Sequence, residues 1–160
     1  MLITSTAVAQ VTPATTKRTM FHRVTEVRTV IKASDAIVWA LLSNAADYPR
    51  WNTTVTSITG RIALDERIVL RSTLDPNRTF TLRVKEFTPN SRLVWGGSQG
   101  QREFEITTNA DSTVTFRMSE RIGGAMFPLY AGAIPSFDAS FDAFASDLKR
   151  EAERVVARSP

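Results

Sequence analysis

"SDAIVWALLSNAADYPRWN", residues 34–52, sets one short helix and a Pro-broken turn behind a Val/Thr-rich run. Ser34 suits an N-cap, where its hydroxyl can accept from a free amide of the first turn. Asp35 complements the positive end of the helix dipole. Ile37, Val38, Leu41 and Leu42 recur at helical spacing and define the face that must be covered. Asn44 is read as a C-cap in the left-handed conformation. Pro49 disfavours helical geometry at Tyr48, which limits any second helix to a short one. Trp39 and Trp51 flank this break, and both read as large apolar bodies docking short helices on the end of a sheet rather than as binding residues.

Upstream, residues 21–32 are rich in Val and Thr without Gly or Pro, which predicts a strand. Downstream, 53–60, 64–73, 78–87, 92–97, 101–108 and 113–121 each read as strands, with "LDPNR" and "TPNS" as turns. No long helical pattern interrupts them, so the sheet should be antiparallel and meandering. Near the end, Phe137, Phe141, Phe144, Leu148, Ala152 and Val155 recur at steps of three and four, one apolar stripe on a helix of about 20 residues. Asp138 and Asp142 near its start and Arg150 and Arg154 near its end match the dipole. That helix must cover one face of the sheet, an α+β arrangement.

The chain has 160 residues, enough for one domain with a core that needs no covalent staples. There is no cysteine, which excludes disulfides, thiol catalysis and thiolate metal sites. The net charge of +4 and the pI of about 10.0 invite a nucleic-acid reading. The basic residues are scattered, however, and no run exceeds the pairs Lys17-Arg18 and Lys149-Arg150, so no nucleic-acid partner is expected. No segment approaches the roughly 20 apolar residues that span a bilayer, and the first residues lack a charged leader. The expectation is a cytoplasmic protein without stable membrane insertion. It has a polar N-terminal arm over 1–20 and one domain over 21–158.

Alternation along the strands sorts the faces. Phe80, Leu82 and Val84 share one side, and a turn at 88–91 brings Leu93 and Trp95 to that same side, with Val84 opposite Trp95 and Leu82 opposite Gly97. Phe104 and Ile106, then Val114, Phe116 and Met118, continue it. Two charges share that inward parity, Arg102 and Glu120. A three-residue hairpin loop sets Arg102 opposite Met118 or Glu120. Either the two form a pair on the concave face, or both lie at strand ends and reach out to water. If paired, Glu120 is a poor general base and suits the anchoring of a polar head group better.

The stretches "ASDAIVWALLSNAADYPRWN", "FTLRVKEFTPNSRLVWGG" and "STVTFRMSERIGG", followed by the long helix, resemble the START-like helix-grip superfamily. The branch they are most similar to is the polyketide cyclase/dehydrase and lipid-transport proteins. The resemblance covers about Val24 to Val156. It implies a curved seven-stranded antiparallel sheet wrapped around a long C-terminal helix, two short helices after the first strand, and an apolar cavity between sheet and helix. Family members bind lipids, sterols, polyketides or plant hormones, and some catalyse cyclisation or dehydration. This chain carries Asn44 where the branch often has Asp, and Arg102 where a His is common. The Glu of the last strand is kept as Glu120.

No nucleophile motif, phosphate loop or metal-ligand set is visible, so no metal and no cofactor are expected. His22, the one histidine, reads as a surface or edge residue. The segment "IGGAMFPLYAGAIP", 122–135, is apolar yet broken by Gly and Pro, and joins the last strand to the long helix. It reads as a gate carrying Met126, Phe127, Leu129 and Tyr130, or else as a plug of the core. The expected function is binding of a small hydrophobic or amphipathic ligand, lipid-, sterol- or polyketide-like. Its site would be built from Trp95, Arg102, Phe104, Phe116, Met118, Glu120, Met126, Phe127, Tyr130, Phe137 and Phe141. The alternative is a metal-free cyclase or dehydratase of the lyase type, with Glu120, Arg102 and Tyr130 as the groups able to serve. A third reading is a filled pocket with a protein-interaction role, including a homodimer.

Overall fold

The computed structural model describes residues 11–159. Residues 1–10 of the N-terminal arm lie outside the described residues. Two strands open the chain, β1 (Thr12–Arg18) and β2 (His22–Ile31), followed by two short helices, α1 (Asp35–Ser43) and α2 (Tyr48–Trp51). Six strands then meander: β3 (Val55–Thr59), β4 (Arg67–Ser72), β5 (Phe80–Thr88), β6 (Arg92–Gly96), β7 (Gly100–Thr108) and β8 (Val114–Gly123). One turn of helix, α3 (Phe127–Tyr130), leads into the long α4 (Asp138–Arg158). All strands pair antiparallel in the order β1-β2-β8-β7-β6-β5-β4-β3.

The sheet therefore has eight strands where seven are expected from the sequence. The additional one, β1, lies inside the stretch read as a polar arm. Its sequence, TPATTKR, has no apolar alternation, and it is held by groups far away in the chain. The Ala14 amide donates to Asp142 at 2.6 Å, and the Thr16 hydroxyl donates to Asp138 at 2.5 Å. As an edge strand it tolerates Pro13, whose missing N–H would break an interior ladder.

The Ser34 hydroxyl accepts from the Ile37 amide at 3.3 Å, the N-cap expected. Two local expectations differ. Asn44 ends α1 with φ −94° and ψ 92°, extended rather than left-handed. Tyr48 is helical (φ −51°, ψ −46°) although a proline follows. Pro49 falls in the first turn of α2, where no intrahelical N–H is required. The fully buried Tyr48 is also fixed by its hydroxyl, which donates to the Leu42 carbonyl at 2.9 Å.

The stripe of α4 lies mainly against β1 and β2 and reaches α1, α2 and β8. Phe144 is the centre of an aromatic cluster. Its ring lies 5.6 Å from Trp51, 5.7 Å from Phe104, and 6.3 Å from both Tyr48 and Phe116. Trp39 packs edge-on to Phe87 at 4.9 Å. Both tryptophans of the 34–52 stretch are thus packing residues, which fills the α1–α2 end of the space between helix and sheet.

Candidate functional site

The other end of that space is open. Between β3–β8 and the segment that joins β8 to α4 lies a cavity of about 620 Å³. Its apolar wall comes from inward residues of neighbouring strands, Leu70, Phe80, Leu82 and Trp95, and from Phe137 and Ile134 on the connector. Trp95 marks the boundary with the filled end, since its ring stands 4.7 Å from Phe104 and 6.4 Å from Tyr48. Val84 opposes Trp95 in the ladder as expected, though not through the turn alone. The turn pairs Thr88 with Arg92, and a bulge between Val84 and Glu86 restores the expected partner. Asn90 supplies the positive φ of that turn at 61°. Gly97 continues the inward row without a side chain, which leaves space beside Leu82.

Arg102 and Glu120 are direct partners across β7 and β8, and both line the cavity. Arg102 Nε donates to Glu120 Oε2 at 2.5 Å, and Nη2 touches the same oxygen. Their side chains are only 15% and 16% exposed, so the two form a pair on the wall and do not reach out to water from strand ends. The Arg102 guanidinium also stacks on Phe141 at 5.1 Å, which fixes its plane.

Of the residues expected to form the site, Trp95, Arg102, Glu120, Tyr130 and Phe137 line the cavity. Phe104, Phe116, Met118 and Phe141 share the inward face but are buried in the packed core, outside the wall. The proposed gate divides. Met126 and Leu129 are exposed, whereas Phe127 is buried edge-on to Tyr130 at 5.6 Å with Arg18 5.8 Å over its ring. Arg18 belongs to the end of β1, a strand invisible to periodicity.

Three contributors were missed. Arg23 donates to the carbonyls of Pro135 at 2.9 Å and Ile134 at 3.4 Å and stacks on Phe137 at 4.5 Å, tying the connector to β2. Burial lowers the pKa of Arg23, and the nearby charges of Glu120 and Asp138 oppose that shift. Its shared parity with Val27 and Ile31 was the available signal. Asp75 and Arg78 line the cavity from the β4–β5 loop, and Arg78 lies 4.8 Å over Phe80. No sequence pattern marks them. His22 is half-buried with its Nδ1 2.9 Å from the Thr19 hydroxyl, in the β1–β2 turn. Among the described residues, no group of three or more His, Asp or Glu is placed to hold a metal ion, and no helix is long and apolar enough to cross a membrane.

Residues 22–153 match the model of the polyketide cyclase / dehydrase and lipid transport family, and the chain belongs to that family. No curated protein sequence matches the chain. Solved structures of the same shape include a START superfamily protein from Mycobacterium smegmatis (14% identity, 82% of this chain and 98% of that one, TM-score 0.61). Protein MLL2253 from Mesorhizobium loti is similar (17% identity, 82% and 98% covered, TM-score 0.65). So is CalU16 from Micromonospora echinospora (13% identity, 92% and 91% covered, TM-score 0.58). Likeness at these identities establishes a START-like helix-grip fold. The strand β1 lies before the matched residues.

Proposed function

We propose that the cavity binds a small hydrophobic or amphipathic molecule. The observation that carries this reading is the half-filled grip: aromatic rings occupy one end, and about 620 Å³ stays open at the other, within the range of about 300–1,000 Å³ typical of small-molecule sites. A wall that sets Leu70, Phe80, Leu82, Trp95 and Phe137 beside charged and hydroxyl side chains suits a ligand with an apolar body and a polar end. Membership of a family whose description includes lipid transport agrees with it.

The second reading is a cyclase or dehydratase acting on a poly-keto chain. In its favour, Glu120, Arg102 and Tyr130 all line the same cavity. Against it, Glu120 Oε2 is already held by two contacts from Arg102. The two readings separate on Glu120→Gln: a catalyst loses turnover and keeps affinity, a binder changes affinity alone.

The binding test uses N-phenyl-1-naphthylamine, an uncharged dye that fluoresces in apolar sites. A Cβ on Gly97 would meet only Leu82 and the Thr81 carbonyl, each at an ordinary 3.8 Å, so Gly97→Leu should fold and narrow the cavity beside Leu82. Wild type is expected to bind the dye, and Gly97→Leu to bind it more weakly. Failure of wild type to bind it would overturn the reading.

A further inference from the structure

The charges around the cavity restrict what it accepts; this step rests on the binding reading above. Both guanidinium contacts of the central pair fall on one carboxylate oxygen, Glu120 Oε2. Among the described residues, Glu120 Oε1 and Arg102 Nη1 make no hydrogen bond. An acceptor and a donor are therefore left uncommitted on two mostly buried, adjacent side chains. Neither atom is fully buried, so both are open to cavity water, and a ligand that displaces that water is favoured when it satisfies both.

The wall is also balanced in charge. Its charged members are Asp75, Arg78, Arg102 and Glu120, two of each sign. Behind it, Arg23 is influenced by Glu120 and Asp138 and places its guanidinium on backbone carbonyls. An anionic head group beside Arg102 would meet the Glu120 carboxylate, and a cationic one beside Glu120 would meet Arg102. Each would displace water from the pair without a free counter-charge of its own. We infer that the cavity selects an uncharged ligand whose head group both donates and accepts a hydrogen bond, a hydroxyl or hydroxy-ketone, over a carboxylate, phosphate or amine of the same size. The volume adds an upper limit. A diacyl phospholipid is too large for about 620 Å³, so the apolar body is a single chain or a few fused rings.

Two matched pairs of probes test this by displacement of N-phenyl-1-naphthylamine at pH 7: 2-(hydroxymethyl)anthraquinone against anthraquinone-2-carboxylate, and decanol against decanoate. The alcohol of at least one pair should bind wild type at least about tenfold more tightly than its carboxylate partner. In Glu120→Gln, which leaves the wall with one net positive charge, that preference should shrink or reverse. In Arg102→Gln, the carboxylates should weaken further. Carboxylates that bind wild type as tightly as the alcohols overturn the inference and leave the cavity reading standing, as does dye displaced by neither alcohol. An alcohol preference unchanged in a folded Glu120→Gln also overturns it. Failure of wild type to bind the dye and all four probes overturns the cavity reading and this inference with it. The wild-type ratios decide the matter even if a variant does not fold.

Discussion

Replacing Arg102 and Glu120 by Met, singly and together, measures the pair that anchors the cavity wall. Two unit charges about 4 Å apart attract by about 4 kcal/mol at an effective dielectric near 20. The pair is 15% and 16% exposed and borders an open cavity, so solvent reaches it from one side. Halving the attraction for that access leaves a coupling of about 2 kcal/mol. Each single substitution also strands a mostly buried charge and should cost about 2–3 kcal/mol, below the 3–5 of a sealed pair. For a domain of this size that lowers Tm by roughly 4–12 °C. The double variant should be more stable than the sum of the single losses implies, by the same 2 kcal/mol or so. Urea unfolding of the four proteins at pH 7 closes the cycle. A coupling under about 0.5 kcal/mol would refute the claim that the two side chains depend on each other.

Three further outcomes are expected. Arg154 and Arg50 hold the Glu151 carboxyl down to about 2 against the effect of burial. A carboxyl depressed in the folded state adds stability above its unfolded pKa, and that stability is lost as pH falls from about 4.5 towards 2. With both arginines partly in water, the gap between wild type and Glu151→Gln should narrow by about 1–2 kcal/mol between pH 5 and pH 2.5, and a pH-independent gap contradicts this. Phe144→Ala removes the ring at the centre of the aromatic cluster and should cost about 3–5 kcal/mol in denaturant unfolding, whereas a loss under 1 would mean the cluster closes over the gap. Asp142→Ala frees the Ala14 amide and should speed hydrogen exchange across β1 far more than across β8.

Much of this architecture was legible because two periodicities dominate the chain. The stripe from Phe137 to Ala152 and the alternation from Phe80 to Met118 follow from the geometry of one helix and one sheet face. Parity plus the length of one hairpin loop narrows the partner of Arg102 to Met118 or Glu120, and the ladder register selects Glu120. Parity does not carry depth, however. Trp95, Phe104 and Phe116 look equivalent in sequence, and only the position of Phe144 separates wall from packed core. β1 was hidden for a different reason. Its hold on α4 depends on Asp138 and Asp142, more than a hundred residues away, and on no pattern within TPATTKR. The same strand also reaches Phe127, an apolar residue in a Gly- and Pro-broken segment, because Arg18 at its end lies over that buried ring.

The central claim is that the open half of the grip holds a small molecule. Native mass spectrometry of freshly purified wild type and Gly97→Leu, followed by denaturation, tests it most directly. The account expects wild type to carry an added mass of a few hundred daltons, consistent with about 620 Å³, and the Gly97→Leu variant to carry less of it. An apo mass for wild type that also gains nothing from added N-phenyl-1-naphthylamine would contradict it.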